Sequence, residues 1–344
     1  MDMHKFLTIV IPTYNRERQL IRLLDSIKRQ NALDMYSVVI LDNHSDYDVK
    51  ASLSKAFAGD FRDNIEIYER PYNAGGDYNI GSAFLFAKSD ILWIVGDDDE
   101  VLDGCFDIIA EDVSRYPEVP CFKYCIENHS SFGEDLSIGD IEDFKRAFDR
   151  NRFYAGDILF VSNNVYNLKN AGSYISTALY YSYCSIPHVI PMLRCLVDER
   201  PFVWSHREIV RYHRPEGDHW NYVKIALSLS TVLDIEVGGD YAITREFFKI
   251  ISKHFEILDF LEECLKVEDK DFSKYVCRKG LATLFVGRKF AARYCHLLYL
   301  IERNTKIRVL TFHADCARKI LAKRRELIDS DSLPYRLYKK LFKR

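Results

Sequence analysis

An α/β fold, a mostly parallel sheet flanked by helices with a helical C-terminal extension, is what this sequence predicts. Three observations predict it. Short β-rich apolar runs alternate with amphipathic segments over about the first hundred residues, each run ends in a polar loop, and helix-period spacing dominates from Tyr222 onward.

The elements follow in order. Residues 6–11 form an apolar run ended by Pro12, a first core strand. Thr13, Tyr14, Asn15 and Arg16 make the loop beyond it, and residues 17–30 carry Leu20, Leu23, Leu24 and Ile27 at helical spacing. Residues 38–41 are a second strand that stops at a polar loop beginning with Asp42. Residues 65–68 are a third, leading to a turn with Asn73 and Gly75 and then a helix over 78–88. Residues 91–95 are a fourth strand, broken by Gly96 and followed by Asp97, Asp98 and Asp99. Later, an apolar strand is expected over 158–161, two strands over 202–204 and 209–212, and a helix headed by Pro187 and His188.

Length and composition fit this plan. The 344 residues, 48% hydrophobic and 14% aromatic, suffice for a large α/β domain with an appendage. There is neither a secretory leader pattern at the N-terminus nor a long uncharged apolar run, so no transmembrane helix is expected. Nine cysteines without C-x-x-C spacing suit a reducing compartment, with the cytoplasm as the default. The net charge of −3 conceals an asymmetry, since residues 274–344 hold 19 Lys/Arg against 5 Asp/Glu. Such a basic region suits an anionic membrane surface, nucleic acid or simple solvation. Within it, residues 281–300 mix apolar positions with Arg288, Lys289 and Arg293, and the aromatic, basic residues 333–344 suit anionic headgroups, a dimer contact or a frayed tail.

Ligands of parallel sheets bind beyond the carboxyl ends of the strands, where all four polar loops lie. Tyr14 can stack on a base, Asp42 can accept from a base, Asn73 and Gly75 allow close backbone approach, and the acidic triplet can hold a metal and a ribose. Three adjacent carboxylates repel one another, and an oxygen-only cluster suits Mg²⁺ or Mn²⁺. Each residue alone also reads as an ordinary turn or cap residue. Neither a P-loop nor G-x-G-x-x-G is present, which argues against an NTPase or a dinucleotide-dependent dehydrogenase.

Taken together, Ile9-Val10-Ile11-Pro12-Thr13-Tyr14-Asn15-Arg16, Asp42-Asn43-x-Ser45-x-x-Asp48, Asn73-x-Gly75 and Gly96-Asp97-Asp98-Asp99 resemble the donor-binding half of family 2 glycosyltransferases of the GT-A fold, over roughly residues 5–105. The resemblance implies an inverting transferase using a nucleotide-diphospho-sugar and a divalent metal, Mn²⁺ or Mg²⁺. It implies a nucleotide site lined by Pro12, Thr13, Tyr14, Asn15, Arg18, Asp42, Asn73 and Gly75. Asp97 would face the ribose and Asp99 the metal, with Asp98 able to take either role in a shifted register.

The resemblance also implies a catalytic domain over 1–220, its donor half about 1–105 and its acceptor half about 106–220, before a helical, basic region over 221–344. The commonest family pattern places an acidic pair at the head of a helix as base, and this sequence has none there. Instead the stretch ending Ser185-Ile186-Pro187-His188-Val189-Ile190-Pro191 is similar to a subgroup that includes abequosyltransferase-like enzymes transferring deoxy- and dideoxyhexoses to bacterial O-antigens. His188 is then the candidate base, with Asp157 as the carboxylate alternative. His213, Arg214 and His219 are candidates for the diphosphate or, for His219, the metal, and Trp220 for sugar stacking or a core anchor. The implied partners are a polyprenyl-linked oligosaccharide acceptor and the inner-membrane surface, a homodimer is an option, and nucleic acid is not expected. Two rivals stand beside this reading: a nucleotidyltransferase, and a polysaccharide-assembly scaffold without turnover.

Overall fold

The computed structural model describes residues 5–128, 132–151, 153, 155–213, 221–234, 241–253, 255–285, 289–305 and 308. The chain forms two compact units, Met1–Asp218 with Glu236–Ile243, and His219–Ile235 with Thr244–Arg344.

The first unit begins with β1 (Leu7–Thr13), α1 (Glu17–Arg29), β2 (Tyr36–Asp42), α2 (Val49–Ala56), the single turn α3 (Asp60–Asp63) and β3 (Ile65–Glu69). Then come α4 (Gly76–Ser82) with a 3₁₀ turn over Ala83–Phe86, β4 (Ile91–Ile94), β5 (Glu100–Val101) and α5 (Cys105–Arg115). β6 (Cys121–Ile126), β7 (Leu136–Ile138), α6 (Ile141–Asn151), α7 (Ala155–Leu159), β8 (Asn164–Asn167) and α8 (Leu168–Tyr180) follow. A 3₁₀ turn over Pro187–Val189, α9 (Ile190–Val197) and β9 (Phe202–Arg211) complete it.

Burial on both faces explains why the central strands read as continuous apolar runs: Ile9, Val10, Ile11, Val38, Val39 and Ile40 are all inaccessible. α1 buries Leu20, Leu23, Leu24 and Ile27, the expected helical stripe, and leaves its charged face outward. Asp48 caps α2, its carboxylate accepting from the Ala51 amide at 2.8 Å.

One nine-stranded sheet runs β3-β2-β1-β4-β8-β6-β9-β5, with β7 also on β9. Its first half, β3 to β4, is parallel throughout. The expectation of a mostly parallel sheet holds there but not beyond, because β8 runs antiparallel to both β4 and β6, and β5 and β7 run antiparallel to β9. Only β6 and β9 restore a parallel pair, with register shifts between Lys123 and Ile126.

Pro12 does not end β1. It pairs in register with Leu41, and β4 has already left β1 at the Val10–Ile94 pair. Val10 bonds on the β4 side, accepting from the Val95 amide at 3.0 Å. Two residues on, Pro12 faces the same side, so its missing N–H falls where no strand would use it.

Other boundaries move for local reasons. The expected strand over 158–161 is instead the last two residues of α7 and the loop after it, a short apolar run whose period cannot separate helix from strand. The two late strands are one, β9, and the helix expected over 78–88 tightens into 3₁₀ after Ser82.

The second unit is helical: α10 (Tyr222–Ser228), a 3₁₀ stretch over Leu229–Asp234, α11 (Tyr241–Ile251), α12 (Ile257–Lys266), α13 (Lys270–Thr283) and α14 (Lys289–Thr305). Asn221 and Asp269 cap α10 and α13 by accepting from Lys224 N and Phe272 N. Phe247, Phe260, Leu261, Val276, Phe285 and Tyr299 form its interior. Among the described residues, no helix is long and apolar enough to cross a membrane. The eight described cysteines are buried free thiols. Arg288 and residues 333–344 lie outside the described residues.

Candidate active site

β1 leads on one side to β2 and on the other to β4, so the chain's crossovers diverge at its carboxyl end and open a crevice there. A cavity of about 840 Å³ fills it, and its wall comes from all four loops that follow the parallel strands.

From the first loop, Pro12, Thr13, Tyr14 and Asn15 line the cavity. Thr13 Oγ1 donates to Asp97 Oδ2 at 2.7 Å, joining the first loop to the fourth. The Tyr14 ring is 41% exposed and lies free for stacking. Asn15 takes a left-handed conformation, φ 55°, which Asn tolerates better than most residues. Its side chain clasps the second loop, donating to Asp46 Oδ2 at 2.8 Å and accepting from the Asp46 amide at 2.7 Å.

The second and third loops are joined by asparagines. Asn43 Nδ2 donates to Asn73 Oδ1 at 2.7 Å, and Asn43 Oδ1 accepts from the Ala74 amide at 3.0 Å. Asn43, Asn73 and Gly75 line the cavity. Gly75 sits at φ 88° with open space where a Cβ would go, so backbone conformation rather than room requires glycine there.

The fourth loop carries the acidic turn. Asp97 and Asp98 line the cavity, and Arg16 spans them with one nitrogen, 3.1 Å from Asp97 Oδ1 and 2.8 Å from Asp98 Oδ2. Burial pushes the Asp97 carboxyl up to about 6, against the pull of Arg16. Burial, with Asp98 as neighbour, also raises Asp99 well above the carboxylate range. Asp99 is 1% exposed and is not part of the cavity wall. It accepts from Ser162 Oγ at 2.6 Å and from the His213 amide at 3.4 Å. The same Ser162 hydroxyl accepts from the Gly96 amide at 2.8 Å, so one residue of the loop before β8 pins both ends of the turn. A Cβ on Gly96 would come within 3.2 Å of the Asp98 and Asp99 carboxylates, which is why the turn starts with glycine.

Several expected placements change. The cavity-facing carboxylates are the adjacent pair Asp97 and Asp98, because the turn rotates Asp99 inward onto Ser162. Arg18 lies exposed and away from the wall, and Arg16 and Arg22 stand there instead. Asp42 is 4% exposed, and its carboxylate accepts from the Ser45 amide and hydroxyl, so Asn43 is the residue presented. His213 does line the cavity, its Nε2 2.9 Å from Glu100 Oε1. Arg214, His219 and Trp220 lie outside the described residues.

His188 is not placed to act as a base. It is 3% exposed, off the cavity wall, with Nε2 donating to the Leu159 carbonyl at 2.9 Å. Burial lowers its pKa to about 3, so the ring is neutral, and the Lys123 charge acts in the same direction. Asp157 is 2% exposed and likewise off the wall, in the field of the buried Lys123 ammonium. Lys123 donates to Asn163 Oδ1 at 2.7 Å and Asn164 Oδ1 at 3.0 Å. This polar cluster braces the segment that carries Ser162. Sequence spacing could not have shown it, since Lys123 and Asn163 lie 40 residues apart.

Among the described residues no three His, Cys, Asp or Glu side chains gather around one metal position, and the acidic turn offers two carboxylates, which fits a divalent metal whose shell substrate phosphates complete. Asp97 and Asp98 present oxygen alone, face a common cavity, and have an elevated carboxyl between them that a cation would relieve.

Residues 8–165 match the model described as glycosyl transferase family 2, from β1 through the Ser162 segment. This stretch, a little under half of the chain, is similar to the family 2 glycosyltransferases. A curated relative from Campylobacter jejuni, GalNAc(5)-diNAcBac-PP-undecaprenol beta-1,3-glucosyltransferase, is 28% identical over 139 residues, 40% of this chain and 43% of the relative. The chain thus matches less than half the length of that relative. Among solved structures, TarS 1-349 of S. aureus in complex with UDP superposes with TM-score 0.50 at 14% identity, covering 88% of this chain and 91% of that one. Mannosyltransferase PcManGT from Pyrobaculum calidifontis, in complex with GDP-Man and Mn2+, gives TM-score 0.50 at 15% identity over 87% of this chain and 86% of its own. These likenesses show the fold, GT-A. The matched stretch carries all four cavity loops, whereas His188 and His213 lie beyond it.

Proposed function

We propose that the chain is an inverting, metal-dependent glycosyltransferase. It moves a sugar from a nucleotide-diphospho-sugar to a hydroxyl of a polyprenyl-linked oligosaccharide, at the cytoplasmic face of the membrane, in O-antigen or capsule assembly. The observation that carries the reading is the 840 Å³ cavity at the switch point of the parallel strands, where Asp97 and Asp98 meet Thr13, Tyr14 and Asn43. The family match, a relative named for a PP-undecaprenol-linked saccharide, and neighbours holding UDP or GDP-Man with Mn2+ support it.

In this reading Tyr14 stacks on the base, Asn43 and Thr13 hold the polar edge of the nucleoside, and Asp97 accepts from the ribose. Asp98 holds the divalent metal, Mn²⁺ or Mg²⁺, which when bound neutralises the carboxylates and stabilises the departing diphosphate. Arg16, already between the carboxylates, turns to donate to the diphosphate. Attack by the acceptor hydroxyl from the opposite face of the sugar is a single displacement, which inverts the anomeric centre. Asp99 and Ser162 set the shape of the turn without touching donor.

The test is thermal stability of the full chain against a panel of nucleoside diphosphates and nucleotide-sugars, with and without Mn²⁺, in wild type and Asp98→Asn. A ligand at a hundred times its dissociation constant adds about 2.7 kcal/mol to the unit that binds it. We expect a metal-dependent rise with one nucleotide family, lost in the variant. No rise with any nucleotide would overturn the proposal in favour of a scaffold.

A further inference from the structure

The helical unit has a cavity of its own, about 360 Å³, within the range of small-molecule sites (~300–1,000 Å³). α14 presents Lys289, Ala292, Arg293 and His296 to it at positions i, i+3, i+4 and i+7, a single helical face. The facing side of α13 gives Arg278, and α11 gives Arg245. Its floor is apolar, made by Leu281, Phe285 and Ala292, with Phe285 fully buried.

The gathering of four cations around one recess is what marks this cavity. Elsewhere in the unit several described cations have partners: Lys249 with Glu246, Lys266 with Glu263, Lys274 with Asp271, and Arg303 donating to the carbonyls of Leu265 and Val267. Arg245, Arg278, Lys289 and Arg293 have no carboxylate in ion-pair contact among the described residues, and none lines the cavity. Burial and the Arg278 charge together depress the His296 pKa, a sign that positive potential goes uncompensated there. Four cations gathered around one apolar-floored recess repel one another unless an anion joins them. Arginine forks in particular match phosphate oxygens.

We propose that this recess binds the phosphate head of an amphiphile, with Arg278, Arg293, Lys289 and Arg245 around the phosphate and the first carbons of the chain against Leu281 and Phe285. The inference goes beyond the transferase reading and stands without it, because no residue of the donor cavity takes part.

Calorimetric titration of the full chain at fixed ionic strength tests it, with octyl phosphate below its micelle concentration, inorganic phosphate, and octanol as probes. Octyl phosphate binds, inorganic phosphate binds at least about tenfold more weakly, and octanol does not register. Arg278→Gln with Arg293→Gln, both exposed positions, weakens octyl phosphate by at least about tenfold while leaving the melting temperature in place. Lys266→Gln with Lys274→Gln, of equal charge change on the same unit, leaves it unaltered. Three results would each overturn the proposal: inorganic phosphate binding as tightly as octyl phosphate, equal weakening in the Lys266/Lys274 control, or full affinity in the arginine variant. Donor-induced stabilisation in the arginine variant stays as in wild type, so failure here is distinguishable from failure of the transferase reading.

Discussion

Asp97 illustrates how a single residue trades stability against binding. Its carboxyl is raised to about 6 by burial, so the folded state binds its proton more tightly than the unfolded chain does. That group's contribution to stability therefore falls as pH rises from about 4 to about 6, and the penalty is complete above. Asp97→Asn keeps an acceptor for Thr13 and removes the buried charge. In metal-free buffer at neutral pH it should be more stable than wild type, on the order of 1–2 kcal/mol, with the difference vanishing below about pH 4. Thermal melts across that range check the prediction, and a variant that is less stable at pH 7 would defeat it. For the same reason, metal-dependent nucleotide binding by wild type should weaken as pH falls through about 6. At this scale the sequence showed which loops matter but not which atoms turn inward. Arg16 rather than Arg18 reaches the turn because Asn15 bends the chain at φ 55°, a choice that spacing does not encode. His188 heads its helix turn as its neighbours suggest, yet the Leu159 carbonyl that occupies it comes from 29 residues away.

Among the elements, the strand-and-loop units from β1 to β4 were legible because each depends on local pattern: an apolar run, a breaker, a helical stripe. The elements from β6 to β9 were less so, since β8 and β9 owe their places to partners far along the chain. Close packing of helices depends on single atoms in the same non-local way. Gly280, inside α13, would place a Cβ 2.2 Å from the Phe260 ring of α12, a ring with no exposure. Alanine gains about 1 kcal/mol in helix propensity, but overpacking a fixed ring costs about 1–3 kcal/mol. The clash should win, and Gly280→Ala should lower the melting temperature. Gly81→Ala tests the same principle in the first unit, where the new Cβ would lie 2.9 Å from the Ser182 backbone after α8. Backbone yields less readily than a side-chain tip, so we expect a loss of about 2 kcal/mol or more by chemical denaturation. An unchanged midpoint in either variant would contradict the packing described.

For the whole molecule, ligand occupancy should read out as a map. Bound nucleotide with Mn²⁺ should slow amide hydrogen exchange at the carboxyl ends of β1, β2 and β4 and in the segment 73–76, and leave α12 to α14 unaffected. Protection confined to the helical unit would move the nucleotide site there. The basic character of residues 274–344 was visible in the sequence, whereas the convergence of Arg278 and Arg293 on one recess needed the fold. The guanidinium of Arg16 has a last consequence for the order in which ligands arrive. It occupies the two carboxylates before any metal does, like a tethered counter-ion that must be displaced. Mn²⁺ alone must evict it without offering it another partner, whereas a nucleoside diphosphate brings the anion to which it can transfer. The two ligands should therefore bind synergistically, each tightening the other by the same factor, and Arg16→Ala should make metal binding less dependent on nucleotide.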